Sequence, residues 1–424
     1  WKENENRKPL IIRGARQVGK TWIMKTFGQQ YFEKTAYVNF DNNARMKQVF
    51  EGDLDIERLV LSISAETGVS IEAENTLIIF DEVQEVPKAL TSLKYFYENA
   101  PQYAIVAAES LLGVALHQGT SFPVGKVDFL DLYPLNFREF LCAMGEKQFV
   151  SMLDSCDTQM VTVFKTKYIE RLREYYFVGG MPEVVKDFSE KKDYNRVRAI
   201  QKNLINYYQQ DFSKHAEIKL VPRLNLVWNS IPMQLAKENK KYIYGQVREG
   251  SRAKDFELAI QWLLDCGLIH KVQRIQKPDL PLKAYIDFDA FKLFLVDIGL
   301  LIAMTDLDAK VIIEGNKIFT EFKGALTEQY ILQQLISDVG VIPYYYSTQN
   351  SKGEIDFLVQ GKTSVIPIEV KAEENLKAKS LKAFCEKYQP SYAVRTSMSD
   401  YREQDWMTNI PLYAVKWIKN YVNQ

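Results

Sequence analysis

Residues 10–22 read LIIRGARQVGKTW, and no other stretch restricts the fold as strongly. An apolar run runs into Gly14-Ala15-Arg16-Gln17-Val18-Gly19-Lys20-Thr21, which satisfies G-x-x-x-x-G-K-[ST] at every position. Such a loop wraps phosphate oxygens with backbone N–H groups, so glycine is needed where a side chain would block approach or φ must be positive. It also needs a strand before it and a helix after it, whose N-terminus faces the anion. All eight residues are therefore candidate nucleotide-binding residues. Lys20 is expected to reach the β- and γ-phosphates and Thr21 to hold Mg²⁺. The competing reading is a plain glycine turn between a strand and a helix.

The flanking sequence supports the phosphate reading. Continuous apolar runs at LIIR (10–13), AYVNF (36–40), TLIIF (76–80) and YAIVAA (103–108) suit strands covered on both faces. Helices are expected at 20–31, 55–66 and 87–99, the last opening on Pro87. The sum is an α/β domain with a doubly wound parallel sheet. LIIFDE (77–82) ends a buried strand on Asp81 and Glu82. Asp81 is expected in the magnesium shell, and Glu82 is placed to polarise the attacking water. Alone, these would read as two solvated carboxylates at a strand end. After the next strand, AAESLLG (107–113) makes Ser110 a candidate γ-phosphate sensor, with a helix N-cap as the competing role.

With RGARQVGKT, LIIFDEVQ, SLLG and VGKVDFLDLYPLNFREF (124–140) together, the chain resembles prokaryotic AAA-type ATPases that carry a C-terminal domain of uncharacterised function. The resemblance spans nearly the whole chain. It implies an AAA ATPase core, a helical and winged-helix middle and a nuclease-like end, with ATP and Mg²⁺ as cofactors. Two positions depart from the family pattern. Glu109 stands where a glycine precedes the sensor, and its carboxylate is expected to oppose the γ-phosphate or alter the turn. Gly125-Lys126 stands where a Gly-Arg pair is frequent, and a lysine cannot act as a bidentate arginine finger.

Beyond residue 140 the pattern is helical to about 220, with a turn at GGMPEV (179–184). Residues 221–285 are expected to form a winged-helix-like unit, with Phe256, Ile260, Leu263 and Leu264 on one helix face and Gly267 ending it. In 286–424, Glu328 falls on a helical stretch, Asp356 in a strand, and Glu369 and Lys371 two apart on the next. Strand alternation places Glu369 and Lys371 on one face. The order resembles the PD-(D/E)XK nuclease fold. In that reading Asp356 and Glu369 chelate Mg²⁺ and Lys371 offsets phosphate charge, with Glu328 converging on them. The bland alternative is a hairpin with a salt-bridged face. The expected division is thus 1–140 ATPase, 141–220 helical, 221–285 winged-helix-like and 286–424 nuclease-like.

Charge narrows the partners. Lys plus Arg and Asp plus Glu each number 54, so any nucleic-acid contact must be a local patch. The 4 cysteines are far apart and only 3 histidines are present, which argues against a zinc site and for reduced, buried thiols. No run reaches the roughly 18 apolar residues of a membrane span, and LFLVDIGLLIAM (293–304) reads as a core helix. The N-terminus carries no signal-peptide pattern, and its opening on Trp1 suggests a few native residues before it. The expectation is a cytoplasmic ATPase whose nucleotide state switches a C-terminal half acting on DNA or a partner protein. The alternative is a nuclease-inactive signalling or assembly ATPase.

Overall fold

The computed structural model describes residues 1–109, 123–237, 240–314, 320–348, 353–373 and 378–423. The chain divides into two compact units, Trp1–Tyr133 with Gln261–Leu268, and Pro134–Ile260 with Ile269–Gln424.

The first unit carries strands β1 (Leu10–Arg13), β2 (Lys34–Asn39), β3 (Thr76–Asp81), β4 (Ala104–Glu109) and β5 (Asp128–Asp131). Helices α1 (Lys20–Tyr31), α2 (Ala44–Glu51), α3 (Ile56–Thr67) and α4 (Pro87–Asn99) connect them. The sheet order is β2-β3-β4-β1-β5 and every pairing is parallel. Parallel strands need covering on both faces, and all six residues of β3 and of β4 are buried. One cover is built from Ile11, Val38, Phe40, Phe80, Ile105 and the faces of α2 to α4. The other is built from Ile12, Met24, Leu77, Ile79 and Val106 with α1. Because β4 lies between β1 and β3, the carboxyl ends of all three strands converge at one edge. The P-loop, Asp81 and Glu109 share that edge.

The second unit begins with a capping box. Asn136 accepts from the Glu139 N–H at 2.9 Å, and its own N–H donates to Glu139 Oε2 at 2.9 Å. Phe137 and Phe140 on α5 (Phe137–Ala143) are then buried, which explains the YPLNFREF run locally. Helices α6 (Lys147–Asp154), α7 (Thr158–Val163), α8 (Lys165–Val178), α9 (Pro182–Lys191) and α10 (Tyr194–His215) follow. The GGMPEV turn joins α8 to α9 by close contact: a Cβ on Gly180 would lie 2.0 Å from Leu135 O. Next come α11 (Val221–Leu235), α12 (Tyr244–Val247), α13 (Ala253–Asp265), β6 (Ile269–Ile275) and β7 (Ile286–Leu295). The hairpin of β6 and β7 is not free-standing. β6 also pairs with β8 (Tyr344–Ser347), so a division at 285/286 would cut one sheet. That sheet has eight strands, adding β9 (Glu354–Gln360), β10 (Val365–Val370), β11 (Val394–Ser397), β12 (Arg402–Gln404) and β13 (Met407–Pro411).

Two sequence expectations are revised. The 293–304 run is not one helix: β7 ends at Leu295, Asp297 caps, and α14 (Ile298–Met304) follows. The buried Asp297 accepts from the N–H groups of Gly180 at 2.6 Å and Leu300 at 3.0 Å, which breaks the run. None of the cysteines forms a disulfide among the described residues, and Cys266 is buried but Cys142 and Cys156 are exposed. Finally, α2 and β5 were not legible as elements. No helix among the described residues is long and apolar enough to cross a membrane.

Candidate nucleotide site and the C-terminal carboxylates

The loop between β1 and α1 adopts backbone that only its own residues fit. Gly14 has φ 148°, and a Cβ there would sit 2.2 Å from Leu132 O. Gly19 has φ 96° and stands just before α1, whose first turn carries no acid. Gln17 also takes positive φ, at 66°. Ala15 and Val18 are buried and anchor the loop, while Arg16 and Gln17 face outward in part. Lys20, 6% exposed, folds back so that Nζ donates to Gly14 O and Ala15 O, each at 2.8 Å. Burial lowers its pKa to about 8, against the pull of Glu82 and Asp81. Among the described residues this buried ammonium hydrogen-bonds to two carbonyls, and phosphate oxygens would give it charged partners in their place.

Thr21 Oγ1 donates to Asp81 Oδ2 at 2.7 Å, across the 60 residues that separate them. Tyr37 donates to the same oxygen at 2.8 Å, and burial with that bond raises its phenol well above its ordinary pKa. Glu82 follows with φ 53°, a left-handed conformation that costs about 1–3 kcal/mol. Its Oε2 accepts from Gln84 Nε2 at 2.5 Å. The structure thus gathers Lys20, Thr21, Asp81 and Glu82 at one sheet edge. The hydroxyl–carboxylate pair suits Mg²⁺, which accepts hard oxygen ligands.

Glu109, 1% exposed, lies at the same edge with neither carboxyl oxygen hydrogen-bonded among the described residues. Burial raises its pKa to about 8, reinforced by Glu82 and opposed by Lys20 and Arg13. It is therefore largely neutral at pH 7, and the repulsion expected from sequence develops only as pH rises toward 8. Ser110, the candidate sensor, lies outside the described residues. Lys126 is paired with Glu98 at 3.0 Å, and Arg13 with Asp131 at 2.8 Å.

A P-loop on a five-stranded parallel sheet, with the acid two strands away, defines a P-loop NTPase domain of the AAA type, an ATP hydrolase. The family comparison agrees: residues 6–141 match the model described as AAA domain. Residues 169–311 and 323–415 match two domains of unknown function, DUF8612 and DUF4143. Among solved structures, the Walker-type ATPase PABY2304 of Pyrococcus abyssi is similar at 13% identity. That match covers 70% of this chain and 91% of that one, with TM-score 0.44. A structure of Drosophila ORC bound to DNA is similar at 12% identity (68% and 86% covered, TM-score 0.23). Cdc6p from Pyrobaculum aerophilum is similar at 8% (72% and 88% covered, TM-score 0.24). No curated protein sequence matches the chain.

In the second unit, the β9–β10 ladder runs through Ile368 with Phe357, so Asp356 and Glu369 follow directly at its end. Asp356 Oδ2 accepts from the Val370 N–H at 2.7 Å, and the charge of Glu328 on α15 (Thr320–Gln334) acts on its carboxyl. Glu369 instead pairs with Lys371 at 2.7 Å. The structure thus couples Glu328 to Asp356 and pairs Glu369 with Lys371. Among the described residues no group of three His, Cys, Asp or Glu is gathered to hold a metal ion. Two lysines that sequence reasoning passed over complete the picture. Lys240 donates to Glu328 Oε1, and the fully buried Lys292 contacts Glu354 Oε1 at 2.5 Å and Glu328 Oε2 at 3.7 Å. Burial works to raise the Glu328 pKa, but Lys240 and Lys292 outweigh it and hold the carboxyl below its ordinary value. Burial and Glu328 push Asp356 up. The available signal was Lys292 inside the run AFKLFLV, since a charge in a buried strand requires a partner.

Proposed function

We propose that the first unit binds ATP·Mg²⁺ through Gly14 to Thr21 and Asp81, and that its nucleotide state switches the second unit, which acts on DNA or on a partner protein. The observation that carries the site is the Thr21–Asp81 bond at 2.7 Å beside the buried Lys20. The loop amides cradle the phosphates, and Lys20 exchanges its two carbonyl partners for phosphate oxygens. Thr21 and Asp81 hold the magnesium ion, which neutralises charge on the phosphates. Glu82, at the end of β3, orients and polarises the attacking water. Titration of a fluorescent ATP analogue into wild type and Lys20→Ala tests binding, and Glu82→Gln tests hydrolysis.

For the second unit, the Lys240 and Lys292 contacts favour binding over phosphodiester cleavage, and with it the role of signalling or assembly ATPase. Assays on single- and double-stranded DNA with Mg²⁺ or Mn²⁺ test this. Cleavage lost in Asp356→Ala and Lys371→Ala would restore the nuclease reading.

A further inference from the structure

The carboxylates that a nuclease-like domain would turn toward a divalent cation are already matched here by ammonium groups of the same chain. Lys240 enters from the segment after α11, 88 residues before Glu328, and donates to Glu328 Oε1. Its side chain is 13% exposed. Lys292 enters from β7 with a side chain 0% exposed. Its Nζ is 2.5 Å from Glu354 Oε1, 3.7 Å from Glu328 Oε2 and 4.8 Å from the centre of the Tyr345 ring. Asp356 accepts from the Val370 amide and feels the charge of Glu328. Glu369 is turned to Lys371.

This set does not fit a divalent ion. Mg²⁺ needs several oxygens converging on one point at about 2.0–2.1 Å. Here both Glu328 oxygens face an ammonium, and a cation placed between Glu328 and Asp356 would meet two like charges in surroundings that screen poorly. A buried lysine is retained only where paired, and Lys292 has three partners. We propose that Lys240 and Lys292 are built-in counter-cations occupying the place of a divalent metal ion, so that the C-terminal domain is metal-independent and Lys240 closes a latent cation site on Glu328 and Asp356. Of the two, Lys240 is the removable one, since it is partly exposed and comes from a connecting segment rather than a strand.

The disagreement with a metal site is independent of the ATP reading, because every residue involved lies in the second unit. The test is Mn²⁺ binding by the nucleotide-free full chain, followed by the free-ion electron paramagnetic resonance signal. The proteins compared are wild type, Asp356→Asn, Lys240→Ala and the double variant Lys240→Ala/Asp356→Asn. Any Mn²⁺ at the P-loop is common to all four and cancels. The expected result is equal Mn²⁺ binding by wild type and Asp356→Asn. Lys240→Ala should then gain about one equivalent, lost again in the double variant, as expected when a carboxylate site is freed. Lys240→Met, which keeps most of the length without the charge, reads the same way if the alanine variant folds poorly. Mn²⁺ bound by wild type and lost in Asp356→Asn would overturn the proposal. So would a folded Lys240 variant that gains no Asp356-dependent ion. A Lys20→Ala chain that fails to bind ATP leaves this result untouched, and the reverse also holds.

Discussion

Glu109→Gln offers a sharp check on the electrostatics at the sheet edge. The wild-type carboxyl is buried, lacks hydrogen bonds among the described residues and has its pKa raised from 4.5 to about 8, chiefly by desolvation. The folded chain therefore keeps a proton that the unfolded chain releases above pH 4.5. Its stability contribution is full below that value and falls as pH climbs through 8. Each unit of the interval corresponds to about 1.4 kcal/mol, so the folded state bears a penalty of roughly 3 kcal/mol at pH 7 and about 5 kcal/mol well above pH 8. Glutamine resembles the neutral acid and cannot ionise. Wild type and Glu109→Gln should accordingly be nearly alike at pH 5. The variant should gain about 1.4 kcal/mol per pH unit up to pH 8 and then level off. Amide hydrogen exchange of the buried β1, β3 and β4 strands measures this, because the intrinsic exchange chemistry at each pH is common to both proteins and cancels. A difference that stays flat between pH 5 and 8 would refute the argument. A difference of opposite sign would show a carboxylate stabilised by ionisation.

Three further outcomes follow from the geometry. Glu82→Gln should keep ATP affinity while lowering hydrolysis by about 100-fold or more, measured as phosphate release. Lys292→Met leaves Glu354 without its lysine and Glu328 with Lys240 alone, and should cost about 3–5 kcal/mol, read as a lowered urea midpoint for the second unit. Adding Glu354→Gln should return part of that loss. Gly180→Ala forces a methyl against Leu135 O at 2.0 Å and should destabilise the second unit by about 1–3 kcal/mol or prevent its folding, seen by thermal unfolding.

The parts legible in sequence are those where one local pattern has one physical meaning. LIIR and TLIIF are strands buried on both faces, and β1 and β3 match those runs to within a residue. The P-loop is readable because glycine, lysine and threonine at fixed spacing answer to phosphate geometry, and Lys20 begins α1 as expected. By contrast, β5 reads DFLD with three exposed residues and shows neither an apolar run nor a regular alternation. The 293–304 run misleads because Asp297, buried and taking three amide N–H groups or side-chain donors from elsewhere, divides strand from helix inside apolar surroundings. Glu109 was recognisable as out of place, yet its burial and raised pKa depend on how β4 sits between β1 and β3. Lys240 was illegible for a different reason: its partner Glu328 is 88 residues away, and nothing local distinguishes it from a solvated lysine.

The function proposed for the first unit depends on one nucleotide site built around Lys20, Thr21 and Asp81. Isothermal titration of ATP with Mg²⁺ into wild type and Lys20→Ala, both checked for native folding by circular dichroism, tests it directly. Among the described residues Lys20 hydrogen-bonds to the carbonyls of Gly14 and Ala15, so its removal should leave the loop folded while abolishing measurable ATP binding. Wild-type affinity in a folded Lys20→Ala chain would contradict the assignment.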